Sequence, residues 1–179
     1  MTTGTDLRGV AGFTLLELMT TITVASVLLA LAVPSFRNLT VSNRLTTQAN
    51  DVVAAINLAR SEAIKRNGSV SLCRASSASA TTCVTGSGNW QFWIVRAPSG
   101  TIIRRGSIDS YGSTLVVSST LTTDQAVFGS DGLVRTGGAL VNNHQINVCA
   151  TIGNSADNTR RIVLGSGSRL STTSLSGGC

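Results

Sequence analysis

Apolar positions along this chain follow three rhythms in turn. From Phe13 to Val33 they are nearly continuous, about 21 residues with a single charge, Glu17, which is the length an α-helix needs to cross a bilayer. From Leu45 the spacing changes to alternating steps of four and three. Leu45, Ala49, Val52, Ile56, Ala59 and Ala63 then share one helical face, while Arg44, Gln48, Asn50, Asp51, Arg60 and Glu62 take the other positions. Pro34, between the two stretches, is expected to kink the helix without ending it. One helix is therefore predicted from about Phe13 to about Arg66, stopped by Asn67-Gly68, a good C-cap pair. Arg60 and Glu62 read as solvated positions on it.

From Ser69 the pattern breaks into short β-type runs separated by turn residues. Strands are predicted at 69–74, 90–97, 101–105, 114–118, 125–128, 133–135, 146–150, 161–164 and 169–171. Pro98-Ser99-Gly100 and Ser130-Asp131-Gly132 read as hairpin turns. Gly165-Ser166-Gly167 lacks the lysine and the strand-to-helix setting of a phosphate loop, so it too reads as a turn. Residues 76–88, rich in Ser, Thr and Ala, are expected as a surface loop, and 171–178 as a flexible tail held by Cys179. The fold class implied is α+β, a long N-terminal helix followed by an antiparallel β domain.

Composition sharpens this. The 179 residues leave room for one domain beyond the long helix, and a 12 % charged content with 4 % aromatics does not suit a charged cytosolic enzyme. The net charge of +6 survives loss of the first twelve residues, because Asp6 and Arg8 leave together. All basic residues except Lys65 are arginines, which favour bidentate contacts to carboxylate or phosphate. No nucleophile–base or acid–base constellation is present, and His144, in the polar run Asn142-Asn143-His144-Gln145, reads as a surface turn residue. The chain is therefore not expected to be an enzyme. Asp124 and Asp131 stand alone in sequence, no CxxC occurs, and His144 is the one possible nitrogen ligand. Neither a metal nor a cofactor is expected.

A carboxylate inside an apolar helix costs on the order of 2–3 kcal/mol or more in lipid, so it normally has a partner and a role. Here it follows a short polar leader, Met1 to Gly12, that carries Arg8 and ends in Ala11-Gly12. The order Gly12-Phe13-Thr14-Leu15-Leu16-Glu17 resembles the prepilin signal of the type IV pilin-like superfamily. That resemblance implies cleavage by a prepilin peptidase between Gly12 and Phe13 and methylation of the new Phe13 amine. It also implies a role for Glu17, which pairs with the N-terminal amine of a neighbouring subunit during filament assembly. The domains so implied are a leader at 1–12, a transmembrane and filament-core helix at 13–34, its amphipathic half at 35–67, and a β-rich domain at 68–179.

The run Asn43-Arg44-Leu45 to Gln48, then Leu58 to Arg66 and Val70 to Cys73, resembles the GspH/FimT branch of that superfamily. Phe128-Gly129-Ser130-Asp131-Gly132, Val148-Cys149 and Arg161-Ile162-Val163-Leu164 fit the same branch. The resemblance implies a FimU-like minor pilin, held in the inner membrane with its C-terminal domain in the periplasm and then carried to the cell surface in a pilus. Its implied partners are other minor pilins, the major pilin, the prepilin peptidase and the inner-membrane assembly platform. Two other members of the branch are weighed beside it. One is a FimT-like protein that binds DNA, for which Arg104, Arg105, Arg135, Arg160, Arg161 and Arg169 are the candidate contacts. The DNA-binding members carry Gly-Arg-x-Arg where this chain has Gly167-Ser168-Arg169-Leu170. The other is the minor pseudopilin H of type II secretion.

An oxidising compartment makes Cys73, Cys83, Cys149 and Cys179 candidates for disulfides. Three pairings are possible. Cys73–Cys83, closing the Ser/Thr-rich loop, and Cys149–Cys179, tying down the end of the chain, are the favoured pair, each contributing about 2–4 kcal/mol.

Overall fold

The computed structural model describes residues 12–108, 115–151 and 157–177. Helix α1 runs Leu15–Lys65, 51 residues. Its start is set locally: Thr14 precedes the first turn, and its hydroxyl oxygen accepts the Glu17 N–H at 3.2 Å, a side-chain N-cap. Its end is equally local. Asn67 takes a left-handed backbone (φ 47°), Gly68 N–H donates to the Ala63 carbonyl at 3.1 Å and Asn67 N–H to the Ile64 carbonyl at 3.1 Å, which is the Schellman closure that Asn-Gly favours. The chain divides into two units, residues up to Arg37 and residues from Asn38 onward.

In the first unit the apolar side chains find nothing to bury them: Phe13, Leu15, Leu16, Ile22, Leu28, Leu29 and Leu31 all stand exposed. The hydroxyls among them are satisfied within the helix. Thr20, Thr21, Thr23 and Ser26 donate to the carbonyls of Glu17, Leu18, Met19 and Thr23 at 2.7–2.9 Å. An exposed apolar helix whose described hydroxyls are satisfied internally suits a lipid or a helix bundle.

The second unit is built on the other half of α1. Leu45, Ala49, Val52, Ile56, Ala59 and Ala63 are all buried, as the spacing predicts. They pack against two antiparallel sheets. The first has the order β3-β2-β1-β5-β6-β7, from β1 (Val70–Ala75), β2 (Phe92–Arg96), β3 (Ile102–Ser107), β5 (Gln125–Phe128), β6 (Val134–Thr136) and β7 (Ala139–Leu140). The second has the order β10-β9-β8-β4, from β4 (Leu115–Ser119), β8 (His144–Ala150), β9 (Thr159–Leu164) and β10 (Leu170–Leu175). Val70, Leu72, Val95, Ala126 and Phe128 of one sheet, with Val117, Ile146, Val148, Ile162 and Leu164 of the other, form one core with the helix. Full burial of a Phe128- or Ile146-sized side chain contributes about 1.5–3 kcal/mol.

Two nodes tie these layers together. Trp90, fully buried, donates its backbone N–H to the Val117 carbonyl at 2.7 Å and so closes the outer edge of β4. Ser168, buried in the β9–β10 turn with φ 60°, accepts from the Arg60 guanidinium through its carbonyl, while its hydroxyl accepts the Val134 N–H at 2.7 Å. Helix and both sheets thus meet at one residue. Arg60 is therefore no solvated position, because its guanidinium is used in this contact and lies 6.0 Å from the centroid of the Phe128 ring. Glu62, also expected in solvent, is mostly covered and pairs with Arg66 at 2.8 Å and with Lys65 at 3.6 Å.

Two further expectations change, and one strand is new. Residues 171–175 are not a tail but most of β10, paired along its whole length with β9. Alternation is weak in Leu-Ser-Thr-Thr-Ser-Leu, so only its two ends look apolar. His144 opens β8 instead of lying in a turn, with Nδ1 donating to the Thr120 carbonyl at 2.8 Å. The two-residue β7 was too short to leave a pattern.

Candidate functional site

The features expected to carry function fall in both units. In the first, Gly12 and Phe13 precede the helix, Phe13 is exposed, and Glu17 lies in the first helical turn. Among the described residues no cation meets the Glu17 carboxylate. A mean hydropathy of 2.1 over an 18-residue window of α1 marks this part as apolar enough for a bilayer. Segment and acid together make a surface that is unsatisfied among the described residues.

In the second unit a disulfide joins Cys73 to Cys83, with a Cα–Cα distance of 5.6 Å. Cys73, Ala75 and Ile94 are buried on the far side of the first sheet from the helix, and Ala80, Cys83, Phe92 and Ile102 pack on them. The Ser/Thr/Ala-rich loop therefore covers a small core of its own. Cys149 is buried in β8, and no cysteine is free among the described residues. Its expected partner Cys179 lies outside the described residues.

A buried ion pair fastens the same loop. Val70, Leu72 and Arg74 alternate onto the core-facing side of β1, so Arg74 places a guanidinium where a carboxylate must meet it. Asp124, fully buried, does so: Oδ2 accepts from Arg74 Nε at 2.9 Å and from the Gly88 backbone N–H at 2.8 Å, and Oδ1 from the Ser119 hydroxyl at 2.6 Å. Arg74 also donates to the Gly86 carbonyl at 2.7 Å. In sequence Asp124 stands apart from other acids and is one of several acids available to the arginines, with nothing that singles out Arg74. The signal that could have found the pair is the charge at a core-parity position of β1.

The six arginines do not converge. Arg104 and Arg105 are exposed on opposite faces of β3, Arg104 lying 5.7 Å from the centroid of the Trp93 ring. Gly106 leaves the space into which Trp93 fits, since a Cβ there would lie 2.1 Å from the indole. Arg135 is paired with Asp131 at 2.8 Å. The Arg135 guanidinium and the Leu133 N–H hold the Asp131 carboxyl down at about 2. Arg160 is buried: it donates to the Asp157 carbonyl at 3.0 Å and the Ser42 hydroxyl at 3.0 Å, and reaches Thr46, joining β9 to α1. Arg161 donates to Asn147 Oδ1 at 3.1 Å on the outer face of the second sheet. Arg169 is exposed at the start of β10. Arg160 thus serves the interior, and the others are distributed over both sheets.

A family model described as type II transport protein GspH matches residues 48–168, more than half of the chain. The chain belongs to the GspH family. The prokaryotic N-terminal methylation motif matches residues 7–33, across the Gly12-Phe13 junction and the apolar helix. Two crystal structures of the type IV minor pilin FimU of Pseudomonas aeruginosa share the GspH-family fold seen here. One has a TM-score of 0.51 and 16 % identity, covering 72 % of this chain and 92 % of that one. The other has a TM-score of 0.52 and 17 % identity, covering 73 % and 89 %. The fold is that of a type IV pilin. No curated protein matches the chain in sequence.

Proposed function

We propose that this GspH-family chain is a minor pilin of a type IV pilus, an inner-membrane precursor that is cut between Gly12 and Phe13, methylated on Phe13 and drawn into the filament. The observation that carries the reading is Glu17. It is a lone acid that meets no cation among the described residues, on an exposed apolar helix and within the matched methylation motif. The Phe13 amine of a neighbouring subunit is a cation of the right charge and depth to meet it, and pairing replaces an uncompensated carboxylate in a low dielectric. The neighbours that supply that amine are other pilins. The bonded β domain then makes the contacts particular to this subunit.

The family description favours one second reading, the minor pseudopilin of a type II secretion system, which would use the same chemistry at Glu17 in a different filament. Glu17→Ala separates assembly from processing. The variant precursor is expected to be cleaved normally, while the amount recovered in sheared filaments falls at least about tenfold. Gly12→Trp is expected to leave uncleaved precursor in the membrane. Undiminished incorporation of Glu17→Ala would remove the pairing role, and the filament in which the native chain is recovered, pilus or secretion pseudopilus, decides between the two readings.

A further inference from the structure

The sheet edges of the second unit are guarded unequally. An exposed edge presents unpaired N–H and C=O groups to any passing strand, and natural proteins shorten, charge or cover such edges. On the first sheet, β3 carries Arg104 and Arg105, and β7 is two residues long. On the second, the outer edge of β4 is taken by Trp90. β10 has none of these defences. It is six residues long, holds no charge and no proline, and its central residues Ser171 to Ser174 are exposed.

The register fixes which of its groups are free. Gly165 N–H donates to the Arg169 carbonyl at 2.9 Å, and these two residues continue the β9–β10 register in which Leu164 faces Leu170. Hydrogen-bonded and non-bonded pairs alternate in an antiparallel ladder, so Ser171, Thr173 and Leu175 bond β9. Leu170, Thr172 and Ser174 then aim their N–H and C=O groups at the open side. Among the described residues none of these groups has a partner. Arg169, at the head of the strand, is exposed and pairs with no carboxylate among the described residues, and the whole chain is basic at +6.

We propose that β10 is a strand-acceptor edge, and that its occupant is an extended segment of a neighbouring, different pilin-like subunit. That segment pairs antiparallel with β10 and places an Asp or Glu beside Arg169. A second copy of this chain is the poorer occupant, because it brings another +6 and no acid within its own β10. The backbone bonds give affinity and the acid sets register, the usual division in strand addition. The proposal rests on the reading of the chain as a filament subunit and names the contact by which its β domain joins its neighbour.

The test uses the full-length chain, produced in piliated cells in place of the native one, with a photo-crosslinking residue at Thr172 or Ser174. Adducts are sequenced by mass spectrometry, and the chain is quantified in sheared filaments in parallel. The expected adduct is an acid-containing extended segment of a second subunit that has its own N-terminal methylation motif. The same crosslinker at Gln145, two strands inward, is expected to give none. Thr172→Pro removes a donor that β9 does not use, and should lower the adduct at Ser174 about tenfold. Ser174→Lys, which guards the edge without touching the backbone, should do the same to the adduct at Thr172, and Arg169→Glu should weaken both. Adducts with a copy of this chain, or no adducts although the chain is present in filaments, would overturn the acceptor edge alone. Absence of the chain from filaments would overturn the filament reading as well.

Discussion

Glu17 and Asp124 are both carboxylates in apolar surroundings, and the chain treats them in opposite ways. Asp124 is fully buried and receives an arginine, a backbone N–H and a hydroxyl from its own chain. Glu17 sits at a helix start and meets no cation among the described residues. The difference teaches where each unit is completed. The domain from Asn38 onward supplies its buried acid with partners from its own chain, whereas the helix before it leaves Glu17 without a cation among the described residues and its apolar side chains exposed.

The comparison can be broken at either acid. On the fold, the largest effect is expected from Asp124→Ala, which leaves Arg74 as an uncompensated, mostly buried cation and frees the loop at Gly88. A loss of about 3–5 kcal/mol is expected, read by chemical denaturation of the protein in detergent. Glu17→Ala should leave the same unfolding midpoint unchanged while it blocks incorporation. A shift at Glu17 matching that at Asp124 would mean the two acids are not treated differently. Next in size is the double variant Cys73→Ser and Cys83→Ser. The bridge spans a sequence separation of 10, and its removal should cost about 2–3 kcal/mol, read as a lowered unfolding midpoint against the native chain without reductant.

The smallest effect sharpens the contrast from a third acid, Asp131, which is paired but exposed. Its carboxyl is held at about 2 by Arg135 against an ordinary 3.8. A carboxyl depressed on folding adds stability that is fully present above pH 4 or so. That contribution is lost as pH falls through about 2. Asp131→Asn should abolish this segment of the pH dependence of unfolding and leave stability at pH 7 little changed, since exposed pairs are screened. A large change at pH 7 would show that the turn at Gly129–Gly132 needs the acid for its shape.

How much of this was legible depends on whether the signal was local. The helix was readable at both ends and on its buried face, because capping residues and a four-three spacing act within a few positions. Most strands were readable for the same reason, as was the Cys73–Cys83 loop. What escaped reading depends on partners distant in sequence. Arg160 looked like a surface cation until β9 was placed against Ser42 and Thr46. Arg60 gave no hint of Ser168, more than a hundred positions away. β10 lacks apolar alternation because its middle faces solvent, so neighbouring β9 had to reveal it. Gly12, Phe13 and Glu17 were legible as a motif, and the N-terminal methylation motif matches across them.

One consequence of the Asp124 clamp concerns the order of oxidation. Arg74 follows Cys73 directly, and through Gly86 and Gly88 its ion pair grips the loop just beyond Cys83. Charge and backbone hydrogen bonds can therefore bring that loop down while both sulfurs are still thiols. An oxidant then finds Cys73 and Cys83 already together and has no need to sort among pairings. In such a chain the covalent bond records a choice that the electrostatics has made.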